Sequence, residues 1–427
     1  MDGGSPLVQI VQELCFFSIS AVLLLCSWGL VRVLLRTVQS VLLPDFLVYI
    51  TAGVLVNLLY SAAFPNGPSL LPGQNKTFAA IQFVALFLFM MPSCASLHFE
   101  RIGDHAKEVG SLVGGSILAF LLALATAPFI DRIAPDPLFI NADEHSRMGH
   151  FLALSLGAMV TSLPFLTKIL INNGLLKSAF GNSILISACL VDILVWIIFS
   201  IAVSVFSSGE ADVGSAALQI LRAVLLVLIA LGVGIFLARL CVAALPDESR
   251  FDFLFILAVS GILLGLAVLI GLAPIVGMVV AGLAIGSIRD RIAPGIRSLE
   301  KTSANLGAPV YFLCVGFSIN LSASFSFTTV VVFLLWTTVV KVGAVVFSTS
   351  FLRHPSATSL DFGIAMNTRG GPGLVLAAAS YSIGLVGISG FAAMTLASIV
   401  TALTTDLYLK TVTKRFLQAS AAPPTDG

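Results

Sequence analysis

Asn367-Thr368-Arg369-Gly370-Gly371-Pro372-Gly373 stands in the middle of an apolar run that begins near Ser356. A proline without a backbone donor, set among glycines beside an arginine, does not sustain an α-helix through hydrocarbon, so the run reads as a helix broken at its midpoint. Thr161-Ser162-Leu163-Pro164 interrupts a second run, which begins near Met148. The residues expected to break the two helices are Pro164 in one and Gly370, Gly371 and Pro372 in the other. The interruptions lie seven spans apart, and an odd offset gives the two helices opposite orientation. Inverted-topology repeats have this pattern, with substrate bound where discontinuous helices meet at the midplane. Thr161 and Ser162 then offer hydroxyl oxygens, the ligand type a hard monovalent cation prefers.

The remainder of the chain is apolar enough to supply the other spans. It is 58% hydrophobic and 10% charged, against about 25% charged residues in soluble domains, and it therefore belongs in a lipid bilayer. Lys and Arg number 22 and Asp and Glu 21, a net charge of +1, which leaves no basic surface for nucleic acid. Cys15, Cys26, Cys94, Cys189, Cys241 and Cys314 form no C-x-x-C pair, so neither a zinc site nor a disulfide framework is expected, and no cofactor. Intramembrane residues assemble no nucleophile, base and orienting group, so an enzyme is not expected either. His98, His105, His145, His150 and His354 fall in loops or at helix ends. His98 and His105 are candidates for sensing pH on the inner side.

At about 20 residues per span, the chain reads as an all-α polytopic membrane protein with about thirteen transmembrane helices. They begin near Leu7, Val41, Thr77, Val109, Met148, Ser178, Ala217, Phe253, Pro274, Gly307, Phe327, Ser356 and Phe391. The first lacks the positively charged start of a signal peptide. Placing the N-terminus outside and the C-terminus inside collects Arg32, Arg36, Arg239, Arg289, Arg291, Arg297, Lys410 and most other basic residues on the inner side. The outer side keeps only Lys76, Arg132, Arg147 and Arg222, as the positive-inside rule requires. On this reading residues 7–207 form the first repeat, 213–243 a linker helix and 250–411 the second repeat. Residues 1–417 make the membrane domain and 418–427 a short cytoplasmic tail, with no soluble regulatory domain. The cell membrane, inner or plasma, is the expected location.

Three ionisable residues remain deep inside spans: Asp192, Lys341 and Arg369. Each lies roughly 20 Å from its helix end at about 1.5 Å per residue. A charge at a helix centre costs about 2.5–3.5 kcal/mol even on a lenient insertion scale, so this placement reads as functional. A buried ion pair that locks helices together is the structural alternative. Low dielectric disfavours the charged form of a carboxylate, which suits Asp192 to holding a proton at one moment and a dehydrated cation at another. Arg369 stays charged and would tune the site, and Lys341 is able to lose its proton when desolvated.

Several motifs resemble those of the monovalent cation:proton antiporter-2 family, which includes plant cation/proton exchangers and bacterial potassium-efflux antiporters. They are Ser162-Leu163-Pro164-Phe165-Leu166-Thr167-Lys168-Ile169-Leu170, Val191-Asp192, Gly277 to Leu283, Ala308 to Gly316, Lys341-Val342-Gly343 and Met366-Asn367-Thr368-Arg369-Gly370. The resemblance implies a thirteen-helix inverted repeat, a homodimer built through a scaffold domain, and elevator-like access around the carboxylate carried here by Asp192. Two positions depart from the family pattern. Val191 replaces the first member of its polar pair, removing the acid that can bind the lysine, and no glutamate follows Arg369. A single exchangeable carboxylate implies exchange of one sodium or potassium ion for one proton without net charge. The alternative is a carrier of a small organic anion whose carboxylate meets Arg369.

Overall fold

The computed structural model describes residues 45–63, 76–95, 102–133, 147–176, 178–208, 213–243, 252–270, 274–318, 326–350 and 358–421, with isolated positions 29, 272 and 352. The span expected from Leu7, residues His98, His145 and His354, and Asp136 to Glu144 of the outer loop lie outside them. Every described regular element is helical. Among the described residues, eight helical stretches, the interrupted Arg147–Asn172 among them, are long and apolar enough to cross a membrane, and the chain is an integral multi-pass membrane protein.

Two compact units divide the chain, Met1–Phe89 with Arg297–Ala323 and Met90–Ile296 with Ser324–Gly427. In the first, α1 (Asp45–Ala63) packs on α11 (Ala308–Ser318). The approach is close because Gly53 and Gly316 face each other: a Cβ at Gly53 would lie 2.9 Å from the Gly316 Cα, and one at Gly316 would meet the Ile50 carbonyl. Small residues let backbones approach in lipid, where packing rather than water exclusion holds helices together. Phe89 of α2 (Lys76–Ala95) stacks on Tyr311 and meets Phe312 edge-on, with centroids 5.9 and 5.2 Å away. The sequence reading puts the basic residues between the spans expected from Pro274 and Gly307 on the inner side and counts no helix from Ala293 to Thr302. The structure forms a short helix there, α10 (Ala293–Thr302), and a π turn (Ser303–Gly307) leading into α11. Its polarity hid it, since a surface helix of ten residues is far too short and too charged for a span count to detect.

The second unit contains α3 (Ile102–Ile133), α4 (Arg147–Met159), α5 (Leu163–Asn172), α6 (Ala179–Ser208), α7 (Val213–Ala243), α8 (Asp252–Leu269) and α9 (Pro274–Gly286). It continues after α11 with α12 (Phe327–Thr349), α13 (Ser359–Met366), α14 (Gly370–Ser382) and α15 (Ile388–Ala421). Neighbour relations recur at an offset of seven spans. α3 touches α4 and α6, while α12 touches α13 and α15; α4 touches α6, while α13 touches α15. α3 and α12 pack on each other through Gly115, where a Cβ would come within 2.9 Å of the Val345 Cα. The interrupted span is the inner one: Arg147–Asn172 is 89% buried, against 17% for Val224–Ala243.

Gly316→Leu should drive a side chain into the α1 backbone, costing about 1–3 kcal/mol or more. A lower melting temperature in detergent than for Gly343→Leu, where nothing lies within 4 Å of the added Cβ, is the expected reading.

Candidate functional site

Both interruptions begin earlier than the proline and glycines suggest. Val160, Thr161 and Ser162 are non-helical, and Pro164 belongs to the first turn of α5, with Ser162 as its N-cap. Asn367, Thr368 and Arg369 separate α13 from α14, so that Gly370, Gly371 and Pro372 form the first turn of α14. The reason is geometric. First-turn N–H groups have no intrahelical acceptor, so a proline there forfeits no hydrogen bond.

The two gaps cross each other. Ser162 N–H donates to the Thr368 carbonyl at 2.6 Å. Thr161 Oγ1 donates to the Met366 carbonyl at 2.8 Å, satisfying the last residue of α13. Gly370 adopts φ +40°, and a Cβ on it would lie 2.5 Å from the Phe165 ring and 2.8 Å from Ser162 Oγ. Only glycine combines that backbone with so close a crossing.

The three ionisable residues gather around this crossing and are all fully buried or nearly so. Lys341 Nζ donates to the Met159 carbonyl at 2.5 Å and to Ser116 Oγ at 2.9 Å. Its positive charge therefore sits at the C-terminal, partially negative end of α4. Arg369 donates from Nη1 to Thr337 Oγ1 at 2.6 Å and from Nη2 to Asn367 Oδ1 at 3.0 Å. Its backbone N–H reaches Thr401 Oγ1 at 3.4 Å.

Asp192 is different. It lies within electrostatic reach of the Leu163 N–H, in the first turn of α5, and of Lys341. A carboxylate at a helix N-terminus is favourably placed. Yet neither of its oxygens has a hydrogen-bond partner, so the three charges are not locked together as an ion pair. Cys94 and Cys189 also lie within electrostatic reach of the carboxylate.

Thus Asp192, Thr161, Ser162, Lys341 and Arg369 all belong to one region, around Pro164 and Gly370. The supporting hydroxyls of Ser116, Thr337 and Thr401 escaped the sequence reading. A lone Ser or Thr in an apolar span carries no periodic signal, because its usual partner is the carbonyl four residues earlier, as Ser116 and Thr337 both also show. No group of three or more His, Cys, Asp or Glu able to hold a metal ion occurs among the described residues. A cation here would rely on one carboxylate together with hydroxyl and carbonyl oxygens. His150, read as a surface histidine, is instead buried, its Nδ1 bonded to the Leu385 carbonyl.

Residues 20–415 match the transmembrane sodium/hydrogen exchanger family. The chain belongs to that family. Cation/H(+) antiporter 17 of Arabidopsis thaliana is 25% identical over 425 residues, covering 96% of this chain and 49% of the relative. The chain thus spans about half the length of the curated relative it matches. The solved structure of the sodium proton antiporter MjNhaP1 from Methanocaldococcus jannaschii superposes with a TM-score of 0.67 over 96% of this chain and 100% of that one, at 15% identity. The two chains share their overall fold.

Asp192→Asn should leave thermal stability within about 1 kcal/mol of wild type, because the carboxylate has no side-chain partner to lose and asparagine keeps an oxygen facing the Leu163 N–H. Lys341→Met, which orphans the Met159 carbonyl and alters the end of α4, should cost about 1–3 kcal/mol. Paired melting curves in one detergent compare the two.

Proposed function

We propose that this protein is a secondary-active antiporter exchanging a monovalent cation, Na+ or K+, for a proton. The observation that carries the reading is the Asp192 carboxylate: buried beside the crossing of two interrupted helices, with both oxygens unbonded. An anion in that position needs either a proton or a cation. The two compete for the same oxygens, and competition couples their fluxes without further machinery. Thr161 and Ser162 would contribute hydroxyl oxygens and the freed backbone carbonyls of the gaps would add others, while Lys341 and Arg369 limit how much positive charge the site accepts. Family membership and the name of the plant relative support the same reading.

One exchangeable carboxylate would carry either one proton or one monovalent cation, leaving the site equally charged in both loaded states. Exchange would then be electroneutral. Inverted repeats, recurring neighbour relations and elevator-like access belong to the same proposal, as do a homodimer, an N-out/C-in orientation and residence in the cell membrane. The organic-anion alternative finds less support, since the matching family and the plant relative are both named for cation and proton exchange.

Proteoliposomes loaded with a pH-sensitive dye test this. Adding sodium or potassium should move protons in wild type and not in Asp192→Asn, with no current at zero voltage. Equal proton movement in both proteins would remove Asp192 from its role.

A further inference from the structure

A cavity of about 700 Å³ opens in the second unit between α3, α6, α7 and α9. Its α6 wall is made of Leu190, Ile193, Leu194 and Ile197, one face at i, i+3, i+4 and i+7. At 100° per residue, Asp192 points about 150° away from the centre of that face. The cavity therefore lies behind the carboxylate-bearing helix and is no part of the site described above. Volumes of about 300–1,000 Å³ are typical of sites that enclose a small molecule.

Its shape and chemistry describe the occupant. Along α7 the lining runs from Val224 to Arg239 and is aliphatic until its last member. Fifteen residues of helix are about 22 Å, somewhat more than one leaflet of a hydrocarbon core about 30 Å thick. At that end Arg239 is joined by Arg289 and Asp290, on the turn that follows α9. The long, dry trough thus ends in two guanidinium groups and one carboxylate. Arginine is the side chain best suited to phosphate, which it meets through paired N–H donors. The surplus positive charge favours a headgroup with net negative charge over a zwitterionic one.

We infer that this trough is a binding site for an anionic glycerophospholipid, its acyl chain lying along α6 and α7 and its phosphate held by Arg239 and Arg289. The lipid would fill the space between α6, which bears Asp192, and α7, and would tie occupancy of the membrane leaflet to the setting of the ion-carrying helix.

The test is binding, and it is independent of transport. Purified protein in detergent is titrated with dioleoyl-phosphatidylglycerol or dioleoyl-phosphatidylcholine, following melting temperature and counting retained lipids by native mass spectrometry. Wild type should be stabilised preferentially by phosphatidylglycerol. Arg239→Gln with Arg289→Gln should weaken that preference about tenfold, and Leu228→Trp, at an exposed lining position, should reduce retention by filling the trough. Equal stabilisation by both lipids overturns the site. So does stabilisation by inorganic phosphate alone, or a Leu228→Trp variant that retains lipid as wild type does. A change in dimer fraction with Leu228→Trp and no change in lipid retention would instead make the trough a surface for a second copy of the chain, and the proposal would fall.

Discussion

Hydrocarbon offers no hydrogen bonds, so every backbone group freed by interrupting a transmembrane helix must find its partner inside the protein. This chain interrupts two helices and uses each to satisfy the other. The Thr161 hydroxyl serves the Met366 carbonyl, the Thr368 carbonyl accepts from Ser162, and Lys341 covers the Met159 carbonyl. Gly370 stands where φ is positive and where a Cβ would strike the Phe165 ring and the Ser162 hydroxyl, so the crossing requires glycine. The positions of Pro164 and Pro372, just inside the half-helices, follow from the same constraint.

Charge is distributed to match. An ammonium sits at the C-terminal end of one half-helix and a carboxylate at the N-terminal end of the next, so Lys341 and Asp192 each lie where the backbone dipoles welcome them. The difference between them is satisfaction. Lys341 has two acceptors and Arg369 has two side-chain acceptors, whereas the Asp192 oxygens have no partner. Buried polar atoms are ordinarily bonded, and Asp192 is one of a few described residues, with Arg369 at its Nε, that leave a buried polar atom without a partner.

α6 also separates two environments. One face carries Asp192 toward the crossing, and the opposite face borders an aliphatic trough that ends at arginines. Neighbour relations recur between the α3 to α6 and α12 to α15 groups, and the overall fold is shared with an archaeal antiporter at 15% identity. Packing of this kind depends on volumes and backbone geometry, which many sequences satisfy.

Much of this architecture follows from sequence because hydrocarbon imposes rules a chain cannot hide. Apolar runs of the right length mark spans, a proline or a cluster of glycines marks an interruption, and Asp192, Lys341 and Arg369 are conspicuous against an apolar background. Short-range chemistry determined those features. Tertiary structure alone decided the pairings: that Thr161 meets Met366 across 205 positions, that Ser116 and Thr337 hold the two bases, and that Asp192 keeps both oxygens unbonded. Polar α10 and the buried His150 likewise emerged only on folding. A hydroxyl or a histidine carries no record of its distant neighbour in its local sequence, because the neighbour is chosen by which backbones can approach within 3 Å, and that is a property of the packed chain.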